Sequence, residues 1–321
     1  MNYPSTTPQE LLNEFFSVIE EKSELAISLT KGALKGLELE TRAKAQPPRL
    51  EIEWILRAHL GTIEKINTLL SKERLPSSLE LISAARNLFE NIVWLKLFED
   101  NYEWGGRFYG IFLKENLDDI SGLLQKLKNE IALFEQAQAE DENISNSMIA
   151  ELTKAKSING DKTAIIAKHD RRRETLDQKV RRSFTLYAAA SKFNGYTFQI
   201  HLLREKEIPR IHELKKKIEA RREDFRKWAR SDLKFDDLSK MITWRREAKS
   251  VGLESQYNYL YRLSSRLLHS GPMNIITEKE LTDQEQMALL EYMVVAVRDA
   301  FELVERFDYP GRLKMLYVET D

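Results

Sequence analysis

Residues that break helices are scarce in this chain. Its 321 residues include only 12 Gly and 8 Pro, while Leu, Glu, Lys, Ala and Arg are abundant. Between the few breaks, apolar residues recur at spacings of three and four, which is typical of amphipathic helices. The sequence therefore predicts an all-α protein, and a hydrophobic content of 42% is enough for one large core or two ordinary ones.

The composition excludes several kinds of chemistry. The chain has no cysteine, so it has no disulfide framework, no thiol nucleophile and no thiolate metal site. The first residues lack the basic and apolar regions of a secretory signal, and no apolar run reaches the length of about 18 residues that a membrane span requires. We expect a cytoplasmic protein without membrane contact. His201 and His212 have no partner at a ligand spacing, so we predict no metal site and no cofactor.

Charge is distributed unevenly along the chain. The formal net charge is -1, yet residues 168–249 hold 24 Lys and Arg against 13 Asp and Glu. This basic zone would suit phosphate contacts with a polyanion, or it would dock against acidic parts of the same chain. The aromatic residues interleaved with it could stack on nucleic-acid bases or fill a core at helical spacing; they are Tyr187, Phe193, Tyr196, Phe198, Phe225, Trp228 and Trp244.

Three regions follow from the breaks and the apolar pattern. Residues 1–111 are predicted to supply the first helices of an up-and-down bundle, and residues 186–321 its last helices. Between them, residues 112–185 are polar with a sparse apolar stripe, which indicates a helical hairpin or coiled-coil extension with a break at residues 159–161. His169 stands in a charge run of this arm, so we predict that it lies on the surface.

Two helix starts are marked by capping signals. Thr7 precedes Pro8 and is followed three residues later by Glu10, and Ser77 and Glu80 show the same register. In the helix after Ser77, Arg86 and Glu90 stand four residues apart on one face, either as a helix-stabilising ion pair or as part of a site. The same helix presents an apolar stripe that we expect to face inward: Leu81, Ala84, Leu88, Ile92 and Leu95.

A helical segment near the end of the chain, ESQYNYLYRLSSRLLHS, carries the chemistry. At 100° per residue, Arg262, Arg266 and His269 fall on one stripe, since seven residues return to within about 20° of the starting direction. Asn258 extends this stripe by one turn. Arginine binds phosphate oxygens in bidentate fashion, and histidine transfers protons near neutral pH, so the set suits metal-independent cleavage of a phosphodiester. A purely structural role at the helix C-terminus is the alternative.

The spacing from Arg262 to His269 resembles the RX4-6H pattern of HEPN domains, all-α modules that include many metal-independent endoribonucleases of toxin-antitoxin and phage-defence systems. The wider layout is similar to a bacterial HEPN-related family in which an R-x-x-x-E helix precedes a Y-x-x-x-S-x-x-x-H helix. The matching positions here are Arg86, Glu90, Tyr261, Ser265 and His269.

The resemblance implies a HEPN-like helical bundle that forms a homodimer and acts on RNA. It implies that Arg262 and His269 are the catalytic pair; the substrate-binding residues would be Arg266, Asn258, Tyr261, Ser265, Arg86 and Glu90. Active HEPN ribonucleases usually have a polar residue directly after the motif arginine, whereas this chain has Leu263. The competing hypothesis is therefore a non-catalytic interaction, scaffold or sensor protein whose polar arm contacts a protein partner.

Overall fold

The all-α prediction is confirmed by a computed structural model, in which every regular element of the described residues is a helix. The structure describes residues 7–44, 49–158, 162–229, 238–268 and 280–309. The predicted break at residues 159–161 therefore lies outside the described residues. The helices are α1 (Pro8–Lys44), α2 (Leu50–Asn67), α3 (Ser78–Asp100), α4 (Glu103–Ile158), α5 (Lys162–Arg182), α6 (Ala188–Asn194), α7 (Tyr196–Leu202), α8 (Ile208–Trp228), α9 (Trp244–Ser250), α10 (Glu254–Leu268) and α11 (Asp283–Arg306).

The chain divides into two compact units. Unit 1 comprises Met1–Ile111 and Asp232–Asp321, and unit 2 comprises Phe112–Ser231. Helix α4 begins in unit 1 and ends in unit 2. Unit 2 continues past residue 185, where the sequence predicted the end of the arm, and takes in α6, α7 and α8.

Unit 1 is a helical bundle around one apolar core. Helix α11 packs against α1 and α3, while α2 packs against α1 and α10 packs against α3. The core contains large side chains that are almost fully withdrawn from solvent, among them Phe15, Phe89, Phe98 and Phe301. The stripe of α3 that the sequence predicted to face inward is buried throughout. Its burial follows from the 3.6-residue period, which places those side chains on one side of the helix.

Both predicted capping signals are confirmed. The backbone N–H of Glu10 donates to Thr7 Oγ1 at 3.2 Å, and the backbone N–H of Thr7 donates to Glu10 Oε2 at 2.6 Å. Ser77 and Glu80 form the same reciprocal pair at the start of α3. These bonds satisfy N–H groups that have no partner inside the helix, which fixes where each helix begins.

A glycine allows α4 to start in close contact with α2. A Cβ added to Gly105 would lie 1.9 Å from the carbonyl oxygen of Glu51, which is less than any real contact. The rings of Trp54 and Tyr109 then stack with their centroids 4.0 Å apart. Only a residue without a side chain permits this approach of backbone to backbone.

In unit 2, α5 runs antiparallel to the later part of α4. Lys168 pairs with Glu151 at 2.8 Å, and Lys179 pairs with Glu140 at 3.1 Å. A later residue of α5 therefore contacts an earlier residue of α4, as in an antiparallel pair. The prediction that His169 lies on the surface is wrong, because its side chain is buried with Nε2 3.4 Å from Glu151 Oε1. It shares the inward face of α5 with Leu176 and Val180, at spacings of seven and four that the surrounding charges obscure in the sequence.

A π-helical turn, Leu203–Glu207, joins α7 to α8. The buried residues Ile211, Ile218 and Phe225 repeat every seven positions, whereas the step from Leu203 to Ile211 is eight. The widened turn accommodates this extra residue, so the apolar seam stays on one side. Pro209 follows two residues after the turn and cannot donate a backbone hydrogen bond, which favours a local departure from the α-helix.

Candidate functional site

Helix α10, which carries the predicted motif, is strongly amphipathic. Leu260 and Leu263 are buried in the core of unit 1, which accounts for an apolar residue directly after Arg262. Asn258 and Arg262 of the predicted stripe are exposed, and so is Ser265 on the neighbouring face. The helix therefore presents a polar face to solvent while its apolar face packs against α3.

Three of the predicted residues meet where α10 contacts α3. The hydroxyl of Tyr261 donates to Glu90 Oε1 at 2.8 Å, and Arg86 Nε donates to the same oxygen at 3.0 Å. The guanidinium carbon of Arg86 also lies 4.2 Å from the centroid of the Tyr261 ring. Arg86 and Glu90 thus form the ion pair that their spacing predicts, and Tyr261 attaches α10 to it.

The electrostatics of this cluster favour the protonated forms of Tyr261 and Arg86. Burial, followed by the hydrogen bond to Glu90 and the charge of Glu90, raises the pKa of the Tyr261 phenol above its usual value. Burial tends to lower the pKa of the Arg86 guanidinium, but the hydrogen bond to Glu90 and the nearby charges leave that pKa raised. Tyr261 therefore remains a hydrogen-bond donor near neutral pH, and the cluster acts as a fixed joint between two helices.

A second polar contact lies further along α3. Asn91 Nδ2 donates to the carbonyl oxygen of Asn87 at 2.8 Å and to Asn87 Oδ1 at 2.9 Å. Thr62 Oγ1 of α2 donates to Asn91 Oδ1 at 3.3 Å. These bonds connect α2 to the same helix that carries Arg86 and Glu90, so α3 is fixed on two sides.

The structure describes only part of the predicted catalytic stripe. The guanidinium carbon of Arg262 lies 6.0 Å from the centroid of the Tyr259 ring, and its charged group faces solvent. His269 lies outside the described residues, as does the side chain of Arg266. Arg262 is therefore available for an anionic ligand, whereas the position of the imidazole relative to it stays a prediction.

Sequence reasoning missed a buried carboxylate in unit 1. Glu247 of α9 is almost fully buried and accepts hydrogen bonds from Arg246 at 2.8 and 2.6 Å. Arg107 Nη2 lies 3.9 Å from Glu247 Oε1, and its guanidinium carbon is 4.7 Å from the Trp104 ring centroid. Burial lowers the pKa of Arg107. In the sequence, both segments, EWGGR and TWRRE, have a Trp close to an Arg. Spacing alone does not indicate that these two distant segments contact each other.

A cleft of about 420 Å³ lies between α1 and α2. Its walls carry Arg42 and Arg57, but each arginine pairs with a glutamate of its own helix, Glu38 and Glu53 respectively. These pairs at i,i+4 positions partly offset the charges of Arg42 and Arg57, while Lys35 and Arg49 add two further cations to the lining.

Among the described residues, no group of three or more His, Asp or Glu side chains is placed to hold a metal ion. In the same residues, no helix combines the length and the apolar character needed to cross a bilayer. Comparisons with family models, curated proteins and solved structures gave no match.

Proposed function

We propose that the protein is a HEPN-like RNA-binding protein that cleaves RNA without a metal ion at the exposed face of α10. The observation that carries this proposal is the joint formed by Tyr261, Glu90 and Arg86, because it fixes the rotation of α10. With that rotation fixed, Arg262 is directed to solvent together with Asn258 and Ser265. A positioned guanidinium with polar neighbours suits a phosphate and its sugar.

The proposed reaction is a transesterification. The ribose 2′-oxygen attacks the adjacent phosphorus, the bond from phosphorus to the 5′-oxygen breaks, and the products are a 2′,3′-cyclic phosphate and a free 5′-hydroxyl. His269 takes the proton of the 2′-hydroxyl as general base or gives one to the leaving oxygen as general acid, and water serves at the other position. Arg262 offsets the charge that develops on the phosphoryl oxygens, and Arg266 supplies a second phosphate contact.

The remaining residues of the motif have supporting roles in this proposal. Asn258 and Ser265 contact the sugar or a base edge from the exposed face, while Arg86, Glu90 and Tyr261 position the helix. Two copies of the chain form a homodimer that brings two motifs to one cleft, in the cytoplasm, where the RNA substrate is found. These statements follow the HEPN resemblance and are tested together with it.

The test is RNA cleavage by the purified protein in the presence of EDTA. We expect the parent to cleave and to leave cyclic phosphate ends, whereas His269→Ala and Arg262→Ala each lose at least about 100-fold in rate, as is typical of a lost general acid–base group or charge stabiliser. Arg298→Ala is the matched control, since Arg298 is a half-exposed arginine that pairs with Glu14 on another part of unit 1. Activity that chelation abolishes, or that survives in His269→Ala, would contradict the proposal.

A non-catalytic interaction protein is the second candidate. It is supported by Leu263, whose buried side chain occupies a position that is usually polar in active HEPN ribonucleases, and by unit 2, which has its own buried side chains. In a cell-growth assay, this candidate predicts that the double variant Arg262→Ala, His269→Ala retains the parent's effect. It also predicts that Arg171→Glu, Arg172→Glu on the exposed face of α5 loses that effect. The reverse pattern would eliminate it.

A further inference from the structure

Unit 2 exposes large apolar side chains within one short segment. Phe184 and Phe193 are 85% and 84% exposed, which makes them the most exposed large apolar residues that the structure describes. Leu186 and Phe198 of the same segment are about half exposed. Isolated surface Leu or Val residues are common in soluble proteins, but nearly free phenylalanine rings are not expected without a role.

The loop that carries Phe184 is held in place from α4. Lys126 donates a hydrogen bond to the carbonyl oxygen of Phe184, and its ammonium lies 5.1 Å from the centroid of the Phe184 ring. Two residues on, the backbone N–H of Leu186 donates to the carboxylate of Glu130, whose side chain is buried. The loop is therefore held by specific contacts at Phe184 and two residues beyond it.

The backbone of Phe184 is itself unusual. Its φ is +55°, in the left-handed region that bulky side chains rarely occupy because Cβ approaches the carbonyl oxygen. Such strained residues persist only where the surrounding structure holds them, and they are concentrated at binding and catalytic sites. The loop thus combines a strained backbone with an aromatic ring directed to solvent, as is typical of a binding site.

Helix α6, which carries Phe193, is anchored on its opposite side. Lys192 donates to Glu174 Oε2 of α5 at 3.2 Å. Just past the helix, Tyr196 donates to Asp177 Oδ1 at 2.8 Å. With Lys192 and Tyr196 both turned toward α5, the ring of Phe193 is left on the solvent side.

The charge of the segment identifies the class of partner. Residues 181–206 contain a single acidic residue, Glu205, against five basic ones. Arg182 and Lys206 are exposed, and neither pairs with an acidic group among the described residues. Lys192 and Arg204 pair with Glu174 and Glu135, so the excess positive charge is carried by Arg181, Arg182 and Lys206, and this excess favours an anionic partner. The basic residues are Arg181, Arg182, Lys192, Arg204 and Lys206.

We propose that the segment from Arg181 to Lys206, here called the aromatic–basic segment, binds single-stranded RNA. The rings of Phe184, Phe193 and Phe198 stack on unpaired bases, and the neighbouring cations contact phosphates. The inference rests on the proposed function only in naming RNA as the nucleic acid. It adds a second RNA contact in unit 2, separate in sequence from the motif of α10.

The pattern of neighbours favours separate bases over a lipid surface. Phe184 stands between Ser183 and Thr185, and Phe193 stands between Lys192 and Asn194. Polar residues thus stand next to each phenylalanine in the sequence, whereas insertion into a bilayer requires a continuous apolar face. Unpaired bases present one π-face at a time, which single rings spaced along a basic segment can match.

Binding is measured by fluorescence anisotropy with the full-length protein. The probe is a fluorescein-labelled oligouridine of about 20 nucleotides, long enough to cover a typical single-strand site. Its riboses are 2′-O-methylated so that transesterification cannot occur. We expect the double variant Phe184→Leu, Phe193→Leu to weaken binding about 20-fold or more, because a stacked ring typically contributes about 5-fold to 100-fold per base.

Matched variants separate stacking from apolar contact and from misfolding. Phe193→Trp should bind at least as well as the parent, since it keeps a ring, and Ile149→Ala should bind as the parent does, since it removes an exposed apolar side chain elsewhere in unit 2. Circular dichroism and a thermal melt check that each variant keeps its helix content. If the double variant keeps its fold and binds the oligouridine as the parent does, the proposal is overturned.

Two further ligands discriminate among partners. A duplex of the same length should bind at least tenfold more weakly, because its bases are already stacked and paired; equal binding would overturn the stacking model. Any co-sedimentation of the protein with vesicles of equimolar phosphatidylcholine and phosphatidylserine should not depend on Phe184 and Phe193. Sedimentation that the Leu variants retain and that Phe184→Ala, Phe193→Ala loses would replace RNA with a membrane as the partner.

The cleavage assay keeps this inference distinct from the proposed function. If binding of the methylated probe depends on Phe184 and Phe193 and unmodified RNA is not cleaved, RNA binding by the aromatic–basic segment is supported and the nuclease proposal is contradicted. If cleavage depends on His269 while binding and KM are unchanged in the double Leu variant, the nuclease proposal is supported and RNA binding by the aromatic–basic segment is contradicted.

Discussion

At the scale of single residues, Tyr261 links α10 to α3 through one hydroxyl. In the variant Tyr261→Phe, the ring remains beside Arg86 but the 2.8 Å hydrogen bond to Glu90 is lost. We expect a loss of about 1–2 kcal/mol in the free energy of unfolding, because the bond involves a charged acceptor in a partly buried site. Urea denaturation followed by circular dichroism measures it.

Tyr257 supplies the control for this prediction. Its ring lies 4.1 Å from that of Tyr261, and its hydroxyl forms no hydrogen bond with the described residues. Tyr257→Phe should therefore change the free energy of unfolding by less than about 0.5 kcal/mol, because the ring stays in place and no hydrogen bond is lost. Equal effects of the two substitutions would show that the hydroxyl of Tyr261 contributes nothing specific.

His59 makes a separate prediction at this scale. It is buried in unit 1, with its ring 4.9 Å from that of Phe307, and burial lowers its pKa from 6.5 to about 3. Only the unfolded state gains a proton as the pH falls below 6.5, so the stability present above that pH is lost progressively toward pH 3. Between pH 7 and pH 5, the free energy of unfolding of the parent should fall by about 2 kcal/mol more than that of His59→Leu.

Urea denaturation at a series of pH values measures this difference. His201→Gln, which removes an exposed histidine from unit 2, is the matched control for loss of a histidine. If the parent and His59→Leu respond to acid in parallel, the buried imidazole is not the cause of the acid sensitivity.

Spacing along the chain predicts contacts between residues on one helix, but not contacts between distant segments. Arg86 and Glu90 pair because residues four apart on a helix are neighbours, so their contact could be read from the sequence. Glu247 and Arg107 come from distant parts of the chain, and no local rule brings them together. Phe184 was missed because its exposure depends on contacts from Lys126 and Glu130 in another helix.

At the scale of helices, two glycines of α4 should respond in opposite directions to alanine. In Gly105→Ala the new Cβ would collide with the backbone of Glu51, so we expect a loss of about 3 kcal/mol or more in the free energy of unfolding. In Gly122→Ala the Cβ meets no atom within 4 Å, and the variant should gain about 0.5–1 kcal/mol from higher helix propensity.

Denaturant titration of both variants beside the parent checks this pair of predictions. Because the two sites lie on one helix and receive the same methyl group, differences in secondary-structure propensity cannot account for opposite signs. A stabilising Gly105→Ala would mean that α2 and the start of α4 do not approach as closely as described.

Helix starts were predictable, and one irregularity was not. Ser77 and Glu80 mark the beginning of α3 by residue type and spacing alone. The π-helical turn at Leu203–Glu207 depends on the seam formed by Leu203, Ile211 and Phe225, whose inward direction is settled by packing within unit 2. A one-residue slip in an apolar repeat becomes interpretable only when the partner surface is known.

At the scale of the whole molecule, two units with separate cores should unfold in two steps. Calorimetry of the parent should show two transitions. Phe134→Ala, in unit 2, should lower one transition, and Phe301→Ala, in unit 1, should lower the other, each by removing about 3–5 kcal/mol of core packing. One transition that both substitutions lower equally would show that the units unfold together.

The helical class of the molecule could be predicted from composition and period, but the boundary of unit 2 could not. Residues 186–231 have the amphipathic pattern of bundle helices, and nothing in that pattern says which of two cores they join. The proposed roles of Arg262, His269 and the aromatic–basic segment could not be predicted from spacing alone, because they depend on which groups lie near these residues in three dimensions.

Unit 2 interrupts unit 1 in the chain, since unit 1 resumes at Asp232 after ending at Ile111. A single proteolytic nick anywhere between these points would divide the bundle into two polypeptides, one with α1 and α3 and the other with α10 and α11. Because α11 packs on both α1 and α3, the fragments would stay associated without a covalent link. The chain is thus naturally suited to be split, with Tyr261 on one piece still bonded to Glu90 on the other.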